Sequence, residues 1–375
     1  MEFLLAGLLS AIMAFLMVAT KKYHLHFTAK GHSSSARQSA HRVPTPRIGG
    51  LAIFSGFTVG ALYLSPAAYG YAMPLLLSCT AVFIGGLGED IGRDVSPKAR
   101  LALSFLSAAC AIMIFQTWIG PLGTPYLNWI TASVLGGTLF TILISGGIAH
   151  AINLIDGLNG LAMGVCMLIA GGLALLANSV GDTTILQICV LLICSILGLF
   201  VFNFPFGKVF LGDAGAYTLG HILVWLSILL VSRNPEISPY AILLIFFWPI
   251  MDMLFAIYRR VVKREPIGAP DRLHFHQLIM RGLGLIVFGR NRRGTTNPLA
   301  TLIVLPMAAV PIIAAQFLWH DIGQSAVALV FLGAVFVATY QLLFVLILQQ
   351  FKNRHLRSLL RSAAVGFRRS VTPAE

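Results

Sequence analysis

Long apolar runs limit what this chain can fold into more than any other feature. Of its 375 residues, 57% are hydrophobic and only 10% are charged, and the mean hydropathy is +0.85. A helix needs roughly 20 apolar residues to cross about 30 Å of hydrocarbon, and about eleven runs reach or approach that length. They lie near residues 3–19, 48–66, 72–88, 101–118, 130–149, 161–178, 184–202, 214–231, 240–257, 298–319 and 325–350. The pattern predicts an all-α, polytopic integral membrane protein.

The basic residues test this threading independently, because they take no part in defining the apolar runs. Alternate crossings send one set of polar segments to a single face: 20–47, 89–100, 150–160, 203–213, 258–297 and 351–375. Of the 26 Lys and Arg residues, only Arg233 falls on the opposite face. The positive-inside rule makes the basic face cytoplasmic. We therefore expect the N-terminus outside, the C-terminus inside and an odd number of spans.

The net charge of +13 raises the question of a nucleic-acid partner. No basic stripe lies on a soluble domain, and anionic lipid headgroups account for the charge at least as well, so we expect membrane lipid and no nucleic acid. Residues 3–19 are expected to stay as the first span rather than act as a signal peptide, because Lys21 and Lys22 follow the apolar run instead of preceding it.

The second and third polar segments on the basic face hold clustered carboxylates and amides. Glu89 and Asp90 are adjacent and need a nearby cation, either a divalent metal or basic side chains. The alternative, favoured for an isolated pair, is a solvated loop before a Ser-Pro helix start. Asn153, Asp156 and Asn159 recur every third residue and can face one side of a tight turn. A capped helix start before the next span explains them about as well.

The fourth segment places Asp213 where a helix begins. A capping role is one interpretation, and a metal that in turn holds phosphate at the helix N-terminus is the other. Phe210 offers an aromatic face for a base, or simple packing.

The fifth segment, about 40 residues long, exceeds ordinary helix connections, and long ordered loops tend to be functional. His274 and His276 are two apart and can converge from an extended segment onto phosphate or metal, with structural surface histidines as the alternative. The first segment adds a basic, kinked entry from His41 to Arg47, followed by Gly49-Gly50. Five such clusters on one face favour a cytoplasmic site for an anionic substrate.

In chain order, five motifs carry a family resemblance: PTPRIGG, the acidic pair before SPKARL, NLIDGLNGL, NFPFGKVFLGDAG and PDRLHFHQLIMRGLG. Together they resemble the polyprenyl-phosphate N-acetylhexosamine-1-phosphate transferases, and the last motif is closest to the bacterial undecaprenyl-phosphate GlcNAc-1-phosphate branch. The resemblance covers the chain from His41 to Gly284. It implies transfer of a sugar 1-phosphate from a UDP-sugar donor to undecaprenyl or another polyprenyl phosphate, with release of UMP.

The resemblance also assigns roles to residues. It implies a catalytic set, namely Glu89, Asp90, Asp213, His274 and His276. It implies a substrate-binding set, namely His41, Arg47, Lys98, Asn153, Asp156, Asn159, Asn203, Lys208, Phe210 and Arg272. Mg²⁺, with Mn²⁺ as the alternative, is expected on Asp213 together with Asn153 and Asp156. A phosphomonoester has a second pKa of about 6, so we expect direct attack by the lipid phosphate, oriented by Asp90.

The expected organisation is one transmembrane catalytic domain over residues 1–350 and a basic cytoplasmic tail over 351–375, in a bacterial inner membrane. Family members often form dimers, so a homodimer is a further expectation. Asp252 lies near the cytoplasmic end of the ninth run. Because a carboxylate in hydrocarbon costs roughly 2.5–3.5 kcal/mol on insertion scales, Asp252 should have a partner or a cavity.

Two alternatives stay open. A transporter or lipid flippase is also polytopic, but it would place polar groups near the bilayer midplane rather than in loops. A non-catalytic family member is suggested by Glu89 and Gln277, which stand where the family usually has Asp and His. The retained Asp90, Asp156 and Asp213 weigh against that alternative.

Overall fold

A computed structural model describes residues 1–28, 44–266, 273–288 and 292–371, with side chains up to residue 350. Every regular element in these residues is a helix, which confirms the all-α prediction. The helices are α1 Glu2–Ala19, α2 Lys21–Thr28, α3 Gly50–Ala61, α4 Pro66–Ser78, α5 Thr80–Asp90, α6 Pro97–Phe115, α7 Pro125–Thr131, α8 Val134–Ile155, α9 Leu161–Ser179, α10 Thr183–Asn203, α11 Gly212–Arg233, α12 Pro239–Ile245, α13 Phe247–Lys263, α14 Phe275–Gly282, α15 Arg293–Leu318 and α16 Ile322–Val371. A π-helical turn, Leu283–Val287, follows α14.

Eight of these helices are long and apolar enough to cross a membrane, and two bent pairs raise the number to ten. The pairs are α4 with α5, bent by 48°, and α12 with α13, bent by 81°. The predicted run at 48–66 forms only the 12-residue α3, about 18 Å long at 1.5 Å per residue, before the chain turns into α4. The multi-pass architecture is therefore confirmed, while the count of eleven spans and the orientation remain predictions.

Each bend has a local cause. Pro249 cannot donate to the carbonyl of Ile245, and its ring clashes with that carbonyl, so α12 ends before α13 begins. Between α4 and α5, Ser78 Oγ donates to Leu75 O at 2.8 Å and Thr80 Oγ1 to Leu76 O at 3.3 Å. Side chains that bond back to helix carbonyls compete with the regular ladder and bend it.

Helix α11 is the centre of the bundle, and every side chain from Gly212 to Leu230 is buried. It packs against α3, α5, α8 and α9. Small residues let the helices approach closely, since a Cβ on Gly50 would overlap Gly215 and one on Gly86 would overlap Ala214. The first residues of α11 are therefore packed between α3 and α5.

Arg233, the one basic residue predicted on the opposite face, is neutralised there. Its Nε donates to Asp182 Oδ2 at 2.6 Å, and its Nη1 to the Tyr71 hydroxyl at 3.0 Å. Asp182 Oδ1 also accepts from Ile185 N at 3.1 Å and so caps α10. The pair joins the end of α11 to the turn between α9 and α10.

Helix α16 runs through residue 350 without a break. The division between a catalytic domain and a tail at that point stays a prediction.

Candidate active site

Asp213, the second residue of α11, collects side chains from three other segments. Arg47 Nη2 donates to its Oδ1 at 3.2 Å, and Asn153 Nδ2 donates to the same oxygen at 3.2 Å. Arg100 Nη1, from the start of α6, donates to Oδ2. The Asp213 side chain is only 6% exposed. Its oxygens bind the two guanidiniums and do not cap α11, so the interpretation of Asp213 as a helix cap is wrong.

Asp90 provides the cap instead. Its Oδ1 accepts from Asp213 N at 2.8 Å and its Oδ2 from Ala214 N at 2.9 Å. Asp90 is buried at the end of α5, so the alternative of a solvated loop is wrong, whereas the predicted Ser96-Pro97 helix start is confirmed. The anion position that a helix N-terminus offers is thus filled by a carboxylate of the chain itself.

The backbone around Gly212 makes this contact possible. Gly212 has a φ of +77°, and a Cβ there would overlap the carbonyl of Arg47 and the carboxylate of Asp90. The Pro46 to Gly50 segment runs beside residues 210–211, with Phe210 N donating to Pro46 O at 2.8 Å and Gly49 N to Phe210 O at 2.9 Å. These hydrogen bonds hold the PTPRIGG segment against residues 210–211 of the fourth polar segment, and Arg47 thereby lies beside Asp213.

The third polar segment begins within α8. The turn that follows this helix, residues 156–160, is here called the third loop, and it reaches the Asp213 centre through Asp156. A hydrogen bond links Asp156 with the backbone of Gly212. Burial raises the pKa of the Asp156 carboxyl to about 7, although the nearby Arg47 favours the charged form. For Arg47, burial favours the neutral form, but the carboxylates of Asp213, Asp90 and Asp156 outweigh burial and raise its pKa.

Asn159 and Asn203 join loops to one another. Asn159 Nδ2 donates to Pro205 O at 2.7 Å, and its backbone N donates to Asn297 Oδ1 at 2.8 Å. Asn203 accepts from Gly160 N at 2.5 Å and donates to Val209 O at 2.7 Å. Since α9 has no side-chain cap, the capping interpretation of this turn is wrong, while the nucleotide contacts expected for both residues stay predictions.

Acidic side chains outnumber basic ones around Asp213. Glu89, Asp90, Asp156 and Asp213 face only two guanidiniums, Arg47 and Arg100, and Glu89 Oε2 is buried without a hydrogen-bond partner in the described structure. If all four acids are ionised, the excess equals the charge of one divalent cation, and carboxylate and amide oxygens are the donors that Mg²⁺ prefers. The donor chemistry fits Mg²⁺. Within the described ranges, however, no three His, Cys, Asp or Glu side chains already converge as a metal cluster.

Asp252 organises a second buried cluster with the two predicted histidines. Its Oδ2 lies 2.9 Å from His274 Nδ1 and 3.7 Å from His276 Nδ1, and its Oδ1 accepts from Phe275 N at 3.0 Å. The expectation of a partner for Asp252 is confirmed. The histidines are 3% and 0% exposed, so the surface alternative is wrong. His276 lies in the first turn of α14, not in the extended segment that the spacing predicts.

Gly157 brings the two clusters together. A Cβ at this position would lie 2.8 Å from His276 Nε2, so the third loop passes directly over the buried ring. The two histidine rings stack with their centroids 5.7 Å apart. Segments from all five predicted clusters therefore meet at one end of the bundle.

Other predicted residues lie at the margin or beyond the described ranges. Lys98 and Lys208 are exposed, and Phe210 is half-buried. His41 and Arg272 fall outside the part of the chain that the structure describes.

Sequence reasoning missed Arg100, His150 and Tyr217. The His150 and Tyr217 rings lie 4.7 Å apart beside the Asp213 centre. Tyr217 is four residues after Asp213 and thus on the same helix face, which is a signal that the sequence contains. For Arg100, the signals are its place in the first turn of α6 and in the SPKARL motif, two positions beyond Lys98.

Comparison with known proteins adds an independent line of information. A family model described as glycosyl transferase family 4 matches residues 72–231, which include Asp90, Asp156 and Asp213. The chain is 32% identical over 250 residues to a probable undecaprenyl-phosphate N-acetylglucosaminyl 1-phosphate transferase of Bacillus subtilis, covering 65% of this chain and 68% of that protein.

Two further relatives cover more of the chain. The undecaprenyl-phosphate alpha-N-acetylglucosaminyl 1-phosphate transferase of Escherichia coli K12 is 28% identical over 312 residues, or 80% of each protein. The decaprenyl-phosphate N-acetylglucosaminephosphotransferase of Mycobacterium tuberculosis H37Rv is 29% identical over 363 residues, covering 82% of this chain and 87% of that protein.

Proposed function

Because this chain belongs to glycosyl transferase family 4, we propose that it transfers a sugar 1-phosphate from a UDP-sugar to undecaprenyl or another polyprenyl phosphate and releases UMP. N-acetylglucosamine is the first choice of sugar, since the relatives named above carry it in their names. The reaction would initiate a cell-envelope polysaccharide at the cytoplasmic face of a bacterial inner membrane. The observation that carries this proposal is the buried Asp213 centre, where four acids and two arginines meet beside the loops.

Two anionic substrates repel each other, so the site must supply positive charge and fixed positions. Asp213, Asn153 and Asp156 would hold Mg²⁺, which when bound neutralises the charge of the donor pyrophosphate. Arg47 and Arg100 are the guanidiniums nearest to that position. Because they donate to Asp213 in this structure, both are placed to turn their donors toward substrate phosphates, and guanidinium binds phosphate in a two-pronged geometry.

In this proposal, Asp90 acts by holding other residues of the site in position. Both of its oxygens already accept backbone N–H groups of α11, so its first task is to hold Asp213 in place. A lipid phosphate is largely dianionic at neutral pH, given a second pKa of about 6, and does not require a base to remove a proton. Glu89, the neighbour with a buried unpartnered oxygen, supplies further negative charge for the cation.

By the family resemblance, His274 and His276 would help to neutralise the phosphate charge, and Arg272, which lies outside the described ranges, would do the same. Lys98 and Lys208 are exposed and suit the entry of an anionic substrate, where they raise its local concentration. Phe210, Asn159 and Asn203 would contact the uridine of the donor, a role that the family resemblance implies.

The first test measures UMP release by the purified full-length protein. Undecaprenyl phosphate and Mg²⁺ are supplied with a panel of UDP-N-acetylhexosamines, and wild type is compared with Asp213→Ala. We expect lipid-dependent UMP release that the substitution lowers by at least about 100-fold, the scale seen when a preorganised charge-stabilising group is removed.

The matched control is Asp182→Asn, which alters a buried, arginine-bound aspartate at the opposite end of the bundle. It should keep the wild-type rate at a temperature where it remains folded. Absence of UMP release from folded wild type with every donor would refute the proposed function, and an active Asp213→Ala variant would refute the role of this centre.

A further inference from the structure

Asp252 is buried, and its carboxylate contacts several groups at the start of α14. It is 1% exposed, and one carboxylate serves three groups: the His274 ring, the first N–H of α14 and, at longer range, the His276 ring. The carboxylate therefore sets two things at once, namely where α14 begins and how the two imidazoles are turned.

The contact at His274 also selects a tautomer. Asp252 Oδ1 already accepts from Phe275 N at 3.0 Å, and an ionised carboxylate only accepts hydrogen bonds. The atom of His274 that faces Oδ2 at 2.9 Å is Nδ1, so Nδ1 carries the proton. Nε2 is then the ring nitrogen left for a substrate, either as an acceptor or as a charged donor.

The groups around His276 fix the orientation of its ring. It is fully buried, and neither ring nitrogen has a hydrogen-bond partner in the described structure. Nδ1 faces Asp252 at 3.7 Å, and Nε2 faces the position that a Cβ on Gly157 would occupy. With the His274 ring stacked 16° from parallel on its other side, His276 is held between the carboxylate and the third loop.

We infer that Asp252 is a positioning residue that fixes the tautomer and the direction of His274, and the place of His276, so that the histidine cluster meets substrate phosphate correctly oriented. This inference rests on the proposed function. It assigns Asp252 no contact with substrate, and its effect passes through the two rings and the start of α14.

The substitution that tests this role is Asp252→Asn, because asparagine has nearly the same shape as aspartate but only one acceptor oxygen. An amide has one acceptor oxygen and one donor nitrogen, so either Phe275 N or His274 Nδ1 would face another donor. We expect kcat for UMP release, with UDP-GlcNAc and undecaprenyl phosphate, to fall by about 10- to 100-fold while KM changes by less than about threefold, as expected for an interaction realised mainly in the transition state.

A double-mutant cycle with His274→Gln separates positioning from general damage. If Asp252 acts through His274 and His276, Asp252→Asn should lower the rate by a clearly smaller factor in the His274→Gln background than in wild type, because only the effect through His276 and the start of α14 is left. Asp252→Glu, which restores two acceptor oxygens, should recover part of the kcat. Asp182→Asn serves as the control for a lost buried carboxylate and should keep the wild-type kcat while folded.

Three outcomes overturn the inference. They are an unchanged kcat in Asp252→Asn, losses that multiply fully in the double variant, and loss of kcat in Asp182→Asn to the same degree. Wild type that releases no UMP would overturn the proposed function and this inference with it, which distinguishes that failure from one confined to Asp252.

Discussion

Single residues in this site derive their roles from partners far away in the sequence. Asp213 and Asp90 are visible in the sequence as acids beside apolar runs, but their contacts are not. Arg47 lies 166 positions from Asp213, and Arg100 lies 113 positions from it. Sequence patterns therefore identify the carboxylates as candidates and leave open whether they cap a helix, bind metal or pair with arginine. The packing of α11 against the other helices shows that Asp90 caps this helix and that Asp213 pairs with arginine, while metal binding stays a prediction.

Arg100 gives the sharpest test at this scale. Arg100→Gln removes one of two guanidiniums from Asp213, so we expect UMP release to fall by about 100-fold or more, as when one charge-stabilising donor is deleted. Arg93, exposed in the preceding loop, supplies the matched control, and Arg93→Gln should retain activity. Equal losses in both variants would mean that overall positive charge matters more than the contact with Asp213.

The Asp182 and Arg233 pair predicts how stability depends on pH. Burial favours the protonated acid, but hydrogen bonds from Arg233 and Ile185 N outweigh it and hold the pKa of Asp182 below its usual value. A depressed acid pKa gives stability that is fully present above the unfolded pKa, about 4, and is lost as the pH falls through the folded pKa.

Asp182→Asn should therefore destabilise the protein by about 1 kcal/mol at pH 7, because it removes the charge that pairs with the partly exposed Arg233 and with the positive end of α10, while asparagine can still cap that helix. The measurement is thermal unfolding of both proteins in detergent from pH 7 to pH 3. The difference between them should shrink below about pH 4, where wild-type Asp182 also becomes protonated. A difference that stays constant across this range would contradict the assignment of the effect to the carboxylate charge.

Among the elements, two helices that carry candidate site residues begin in the same way. An aspartate at the end of α5 accepts the first N–H groups of α11, and one within α13 accepts the first N–H group of α14. Each buried carboxylate thereby sits at the positive end of a helix dipole. This arrangement fixes Asp213 in one case and His276 in the other. The hydropathy pattern locates most of the long helices to within about six residues, but it contains no information on these caps, because the capping residue lies on another helix.

The contact between Gly157 in the third loop and His276 in α14 can be tested by substitution. In Gly157→Ala, the new Cβ would lie 2.8 Å from His276 Nε2, so the ring or the loop must shift. We expect UMP release to fall by at least about tenfold, since a misplacement near 1 Å can cost 100-fold. Gly147→Ala in α8 is the matched control, because nothing lies within 4 Å of its Cβ position. Full activity of Gly157→Ala would show that the ring position is not critical.

At the scale of the whole molecule, the site depends on five segments arriving at one end of the bundle. Alternating hydropathy predicts this convergence, because every second connection returns to the same face. It does not predict that α3 is short, that α12 and α13 bend by 81°, or that α11 is enclosed on all sides, since these features arise from contacts between helices. Proline at 249 and the glycines facing α11 are the sequence traces of those contacts, yet both residue types also occur in ordinary spans.

The orientation of the bundle is the last prediction, and labelling of single cysteines tests it. The five native cysteines are replaced, and one cysteine is introduced at Tyr126, 86% exposed in α7, or at Arg93 in the second polar segment. Because the threading predicted from hydropathy puts 25 of the 26 basic residues on the Arg93 side, the positive-inside rule predicts that this side is cytoplasmic. A membrane-impermeant maleimide should label Tyr126→Cys in intact cells, and Arg93→Cys only after permeabilisation. The reverse pattern would place the Asp213 centre outside the cell, away from nucleotide donors, and would contradict both the orientation and the proposed reaction.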